Sequence, residues 1–276
     1  MELMGDKYRF FAPSHSQLDL TNDEQVRKFF RENHIDYVIQ SAMRPAHRNA
    51  KDPSRELEIN LQMFFNLARN SERFEKLIFI GSGELYDIRH FTPKMKEEYF
   101  DSHVPADEGG FSKYIASKYI KHFKGWVDLR VFGVFGKYED YAIRFISNAI
   151  CKALSGLPIT IKINRRFDYV YINDLMPVLE YFLENRGEYF AYNVTPDQSI
   201  ELLTLAEIVR DISGKDLPIL IAQPGMGCEY SGSNERLKAQ IPGLKYIPIT
   251  QAIRELYQWY ETNYSGINRE CLLFDK

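Results

Sequence analysis

The chain has 276 residues, 45% of them hydrophobic and 26% charged, with a net charge of −3, enough for one large domain or a domain with a lobe. Acids and bases are interspersed, which excludes a basic stripe for nucleic acid, and no apolar run is long enough to span a membrane as a helix. The start carries acid early and has no apolar core of a signal peptide, and Cys151, Cys228 and Cys271 are too scattered for a disulfide framework or a zinc site, so a reducing cytoplasm is expected.

Tyr8–Ala12 predicts a short aromatic strand, broken by Pro13–Ser16. Thr21 or Asn22 then caps a helix running to about Asn33. Asp36–Ser41 is a continuous apolar run, the pattern of a strand buried on both faces. Leu57, Leu61, Phe64, Phe65 and Ala68 recur at helical spacing and predict a helix over Ser54–Asn70. Strands are predicted at Leu77–Ile80 and Val127–Val131, with a helix opening at Gly110 between them. This alternation argues for an α/β fold with a doubly wound parallel sheet. Beyond Gly136 the rhythm changes. A helix over Ala142–Leu154 precedes a strand at Pro158–Ile161, then an extended Phe167–Ile172 and a helix capped by Asn173 or Asp174. A strand at Tyr189–Asn193 and helices over Leu203–Ile212 and Pro248–Tyr260 complete the pattern. The expected division is 1–140 and 141–276, with the second part a smaller α+β lobe interleaved with the first.

Four segments, in order, resemble one family. Leu18-Asp19-Leu20, with the helix after it and Ile35–Ile39, matches its early part, and Asn60 matches its helical asparagine. Gly81-Ser82-Gly83-Glu84-Leu85-Tyr86 resembles its catalytic serine strand. Arg130–Gly136 resembles its Arg-x-Phe-Asn-x-x-Gly turn, and Phe167–Asp174 the strand and helix start of its substrate lobe. The chain is thereby identified as a member of the extended short-chain dehydrogenase/reductase family, in its NAD-dependent epimerase/dehydratase branch, similar to GDP-fucose synthases. The resemblance implies a Rossmann-like domain, NAD or NADP as cofactor and a nucleotide-sugar substrate. In that chemistry a tyrosine exchanges a hydroxyl proton, a lysine one helical turn on lowers its pKa, and a serine holds the same oxygen. By resemblance the serine is Ser82.

The tyrosine and lysine have two registers, because Ser-Lys-Tyr-Ile occurs twice. Tyr114 and Lys118 satisfy Tyr-x-x-x-Lys literally. The other register takes Lys113 and replaces the tyrosine by Gly109. It leaves a longer helix after the lysine, since from Lys118 only about 9 Å of helix remains before Gly125. Glu84 stands where the dehydratases carry a glutamate and GDP-fucose synthase a cysteine, so 3,5-epimerisation is not supported and dehydration only half so. For the cofactor the resemblance points to Asp19, Leu20, Ser41, Ala42 and Asn60. His15 and Ser14 sit where the ribose 2′-position is read, with no acid to demand NAD. Arg144 and Arg166 are the substrate-binding candidates.

The family's first strand and glycine-rich turn have no counterpart before Tyr8, where Met1–Lys7 reads as the end of the first helix. A Rossmann-like sheet missing its first strand is expected, and with it poor dinucleotide binding, through a late start or a decayed gene. By analogy, the helices at Ser54–Asn70 and Phe111–Phe123 would form a homodimer as a four-helix bundle.

Overall fold

The computed structural model describes residues 2–45, 47, 50 and 52–273. In chain order the elements are α1 (Asp23–Glu32), β1 (Tyr37–Gln40), α2 (Glu56–Ala68), β2 (Lys76–Ser82), α3 (Glu108–Ile120), β3 (Val127–Val131) and β4 (Val134–Phe135). There follow α4 (Phe145–Leu154), β5 (Ile159–Asn164), β6 (Arg166–Phe167), β7 (Val170–Tyr171), α5 (Ile172–Glu184) and β8 (Ala191–Val194). The chain continues with β9 (Ile200–Glu201), α6 (Leu202–Ser213), β10 (Ile219–Met226), α7 (Glu235–Gln240) and α8 (Ile249–Thr262).

The main sheet has the order β1-β2-β3-β8, and every neighbouring pair is parallel. Parallel neighbours need crossovers, which α2 and α3 supply between β1, β2 and β3. On one face Val26, Phe30, Phe64 and Ile120 from α1, α2 and α3 pack on Leu77 and Phe79. On the other, Val178, Leu179 and Phe182 of α5 pack on Ile78, Leu129 and Tyr192. Both faces are covered, as the doubly wound α/β pattern requires. A separate core joins α4, α6 and α8 to β5 through Ile150, Leu205, Val209, Ile253 and Leu256. The chain enters this lobe at α4, returns to the main sheet with α5 and β8, and then goes back. Among the described residues no helix is long and apolar enough to cross a membrane.

Several expectations are corrected. Tyr8–Ala12 has no regular secondary structure and joins no ladder among the described residues. Its side chains hold it instead: Tyr8 and Phe10 pack into the α5-side cluster, the Tyr8 hydroxyl donates to Glu184 at 2.9 Å, and Phe11 meets the Phe29 ring of α1. Residues 2–7 form turns rather than a helix end, and Met1 lies outside the described residues. β1 is half-buried over Tyr37–Ile39 and buried only at Gln40, because among the described residues it pairs with β2 alone. Arg144 precedes α4 in a turn through Ala142, whose amide donates to Asp140 at 2.9 Å. α5 starts at Ile172, so Asn173 and Asp174 lie in its first turn and cap nothing; Asp174 instead accepts the Ile247 amide at 3.1 Å. β10, pairing parallel with β5, was not expected, since Pro224 and Gly225 interrupt its apolar pattern.

Candidate active site

β2 carries Ser82 to the carboxyl end of the sheet, in register with Val131 of β3. The Ser82 hydroxyl accepts the Glu84 amide at 3.2 Å and turns the chain into a short 3-10 helix, Gly83–Tyr86. Asp107 caps α3 by accepting the Gly110 amide at 2.6 Å. A Cβ on Gly110 would lie 2.8 Å from the Glu84 carbonyl oxygen, so only glycine lets α3 approach the serine turn this closely. The approach carries Lys113, whose side chain is only 7% exposed, to within 2.6 Å of the Glu84 carboxylate.

Behind Lys113 lies a small cavity lined by Gln40, Ser41, Ala42, Asn60 and Ser112. Asn60 accepts the Arg44 amide at 2.7 Å and donates to the Arg44 carbonyl at 3.3 Å, which fixes the loop carrying Ser41 and Ala42. Gln40 is buried, and its side-chain oxygen has no hydrogen-bond partner among the described residues. A buried acceptor of that kind suits a ligand that brings a donor. Asp19 and Leu20 are placed elsewhere. Asp19 accepts from the Thr21 amide and hydroxyl at 2.9 and 2.8 Å, and the Leu20 carbonyl accepts from Asn66 at 2.9 Å. Neither lines the cavity.

The two copies of Ser-Lys-Tyr-Ile diverge in space. Lys113 faces the serine turn, whereas Tyr114 and Lys118 both reach Asp101, Lys118 at 2.6 Å. Asp101 has a left-handed backbone, φ +80°, so these two side chains secure a strained loop residue. Arg166 donates to the Ser199 hydroxyl and carbonyl at 3.1 and 2.5 Å and lies near Glu201 and Glu229. Arg144 is exposed at the start of α4. Among the described contacts neither arginine touches Ser82 or Lys113.

A family model described as the NAD dependent epimerase/dehydratase family matches residues 3–195. The chain belongs to that family. Among curated relatives it is 29% identical over 169 residues to dTDP-4-dehydro-6-deoxyglucose reductase of Escherichia coli, a match covering 58% of this chain and 52% of that protein. The chain thus spans about half the length of that relative. GDP-L-fucose synthase 1 of Arabidopsis thaliana is 21% identical over 91% of this chain and 84% of its own. Among solved structures, a GDP-6-OMe-4-keto-L-xylo-heptose reductase from C. jejuni superposes with a TM-score of 0.79, at 18% identity, covering 95% of this chain and 93% of its own. An NADP-bound GDP-L-fucose synthetase from Naegleria fowleri gives 0.84, at 15% identity, covering 96% and 89%. At these identities the superpositions establish the fold.

Three features around this candidate site were not read from the sequence. The first is Tyr230, contributed by a distant segment and buried, with its hydroxyl near Ser82. Burial pushes its pKa far up. A Cβ on Gly83 would lie 2.6 Å from that hydroxyl oxygen, and Phe132 crowds the same point. The second is a fully buried network around Arg130. Its guanidinium donates to Asp128 at 2.9 Å, the Ser117 hydroxyl at 3.0 Å and the Tyr86 hydroxyl at 2.7 Å. Tyr86 in turn donates to Asn193 at 2.7 Å.

The third is Asp168, buried with one carboxylate oxygen unpartnered among the described residues. Its other oxygen accepts from the Thr195 hydroxyl and the Gly232 amide, the latter at 2.8 Å. Burial raises its pKa to about 6, against the outweighed pull of those two donors. The folded value exceeds the unfolded one, so Asp168 costs nothing below the unfolded pKa, and its charge destabilises the fold progressively as pH rises through about 6. Asp168→Asn can keep both donors on its oxygen and has no charge to bury. Between about pH 4 and about pH 7, wild type is expected to lose on the order of 3 kcal/mol relative to this variant, because each tenfold change in proton affinity between the folded and unfolded chain is worth about 1.4 kcal/mol. Urea midpoints of both proteins across that range check this; parallel curves would refute it.

Proposed function

We propose that this chain is a ketoreductase acting on a nucleoside-diphosphate sugar with NAD or NADP. The observation that carries the reading is Lys113, buried against the Ser82–Glu84 turn at the mouth of a cavity holding an unpartnered Gln40 oxygen. Ser82 would hydrogen-bond the sugar oxygen under reaction, and the Lys113 ammonium would favour the negative charge that develops there. Asn60 would keep Ser41 and Ala42 in place against the nicotinamide half of the cofactor, which supplies hydride when bound. The names of the curated relatives and solved neighbours, reductases and synthases of dTDP- and GDP-linked sugars, support this substrate class. Arg144 and Arg166 remain the proposed substrate-binding residues; to meet the diphosphate, Arg166 would have to exchange Glu201 and Glu229 for the phosphates. A cytoplasmic homodimer through the outer faces of α2 and α3 is the assembly proposed by analogy.

We also propose that this chain by itself holds the dinucleotide weakly, because it contains no Gly-x-Gly-x-x-Gly turn to receive the pyrophosphate. A second reading, a binding or partner subunit without turnover, is favoured by Tyr230 and Phe132 closing over Gly83 beside Ser82. Calorimetry with NADPH and NADH, paired with NADPH oxidation in the presence of GDP- and dTDP-4-keto sugars, separates the readings. Weak binding with measurable oxidation is expected. Micromolar binding would refute the weak-cofactor proposal, and sugar-nucleotide binding without any oxidation would make the partner-subunit reading the better one.

A further inference from the structure

The absent side chain at Gly109 leaves a space that another residue fills. Gly109 lies one turn before Lys113 on α3, and a Cβ there would stand 2.9 Å from a carboxylate oxygen of Glu56. Glu56 opens α2, and that end is pinned to the start of α3 by the Leu57 amide, which donates to Glu108 at 3.0 Å. Four residues on along α2, on the same helical face, is Asn60, which lines the cavity beside Lys113. A side chain at 109 would therefore have to push the Glu56 carboxylate from its present place.

We propose that Glu56 is the acid/base of this site, exchanging the proton that a tyrosine at position 109 would exchange, with Lys113 shared between it and Glu84. This rests on the ketoreductase reading above. The unpartnered Gln40 oxygen in the adjoining cavity independently marks this end of α3 as a place for a ligand. Burial raises the pKa of Glu56; Lys113 opposes the rise, and Glu84, Asp107 and Glu108 add to it. A carboxyl held above its usual range is better matched to proton exchange near neutral pH than an ordinary glutamate. In the proposed step the sugar carbonyl carbon gains a C–H bond with the electron pair of hydride from reduced nicotinamide. The C=O π pair takes the Glu56 proton to give the alcohol. Glu56 is left as a carboxylate and regains its proton from water, while Lys113 stays charged throughout.

The test is Glu56→Gln, which keeps the shape and removes the exchangeable proton. Carboxyl NMR titration of the wild-type protein, free of ligand, is expected to show a glutamate titrating above the ordinary range that is missing in the variant. NADPH affinity by calorimetry should stay within a few-fold, while kcat for 4-keto sugar reduction falls about 100-fold or more. A variant that reduces the sugar as wild type does would overturn the proposal and leave the ketoreductase reading intact. So would a Glu56 that titrates in the ordinary range. A wild-type protein that binds NADPH yet reduces no 4-keto sugar would sink the parent reading, and the role of Glu56 with it.

Discussion

Arg130→Met is expected to destabilise the protein by roughly 3–5 kcal/mol, the usual cost of removing one partner from a buried ion pair. Arg130 and Asp128 are both fully buried, and β3 places them two residues apart on one face. The guanidinium is also enclosed by rings, with Phe100 at 4.5 Å and Tyr86 at 5.1 Å. Methionine fills much of the volume but leaves the Asp128 carboxylate with only the Ser117 hydroxyl, at 2.6 Å. It also leaves the Tyr86 hydroxyl without its donor. Desolvation of the remaining charge, rather than lost packing, therefore dominates the cost. Urea unfolding should show a lower midpoint with an unchanged slope. Adding Asp128→Asn should recover part of the loss, because the double variant buries no lone charge; a strictly additive pair would refute the coupling. The network reaches the serine turn through Tyr86, so its loss should loosen that turn as well.

What the sequence made legible was local. Asn22 caps α1 because the cap and its target amide lie within one turn. The spacing of Leu57, Phe64 and Ala68 is a property of one helix, which is found, and of the two caps read, Thr21 or Asn22, the cap is Asn22. Tyr8–Ala12 misled because a run rich in aromatics describes side-chain preference, and a strand also needs a backbone partner that no local pattern reveals. The fold class survived this because it depends on the alternation of elements and not on any one of them. The site was harder. Ser82 stood out by its resemblance to the family's serine strand, but the repeated Ser-Lys-Tyr-Ile offered two lysines, and only the longer helix left after Lys113 spoke for one of them. In space Lys113 meets Glu84 while Lys118 meets Asp101. Tyr230 and Glu56 lie outside any motif, and only the folded chain brings them to Ser82 and Gly109.

Lys113→Met is expected to lower kcat for 4-keto sugar reduction by about 100-fold or more, whereas Tyr114→Phe should leave it within a few-fold. Lys113 is the buried cation against the serine turn, its ammonium 2.6 Å from the Glu84 carboxylate, and its charge also acts on Glu56. Without it, two acids face the reacting oxygen with nothing to offset them, and the charge that develops in the transition state meets repulsion where it now meets attraction. The cost to folding should be small, because Glu84 is 55% exposed and water can take over its solvation. Circular dichroism and a thermal melt close to wild type would confirm that activity, not the fold, was lost. Tyr114→Phe removes one hydrogen bond to Asp101, which Lys118 still holds at 2.6 Å, so only local strain around residue 101 should change. Steady-state kinetics on the two variants decide between the registers. The reverse pattern, an inactive Tyr114→Phe with an active Lys113→Met, would move the site to Tyr114 and Lys118 and leave Glu56 as a surface carboxylate.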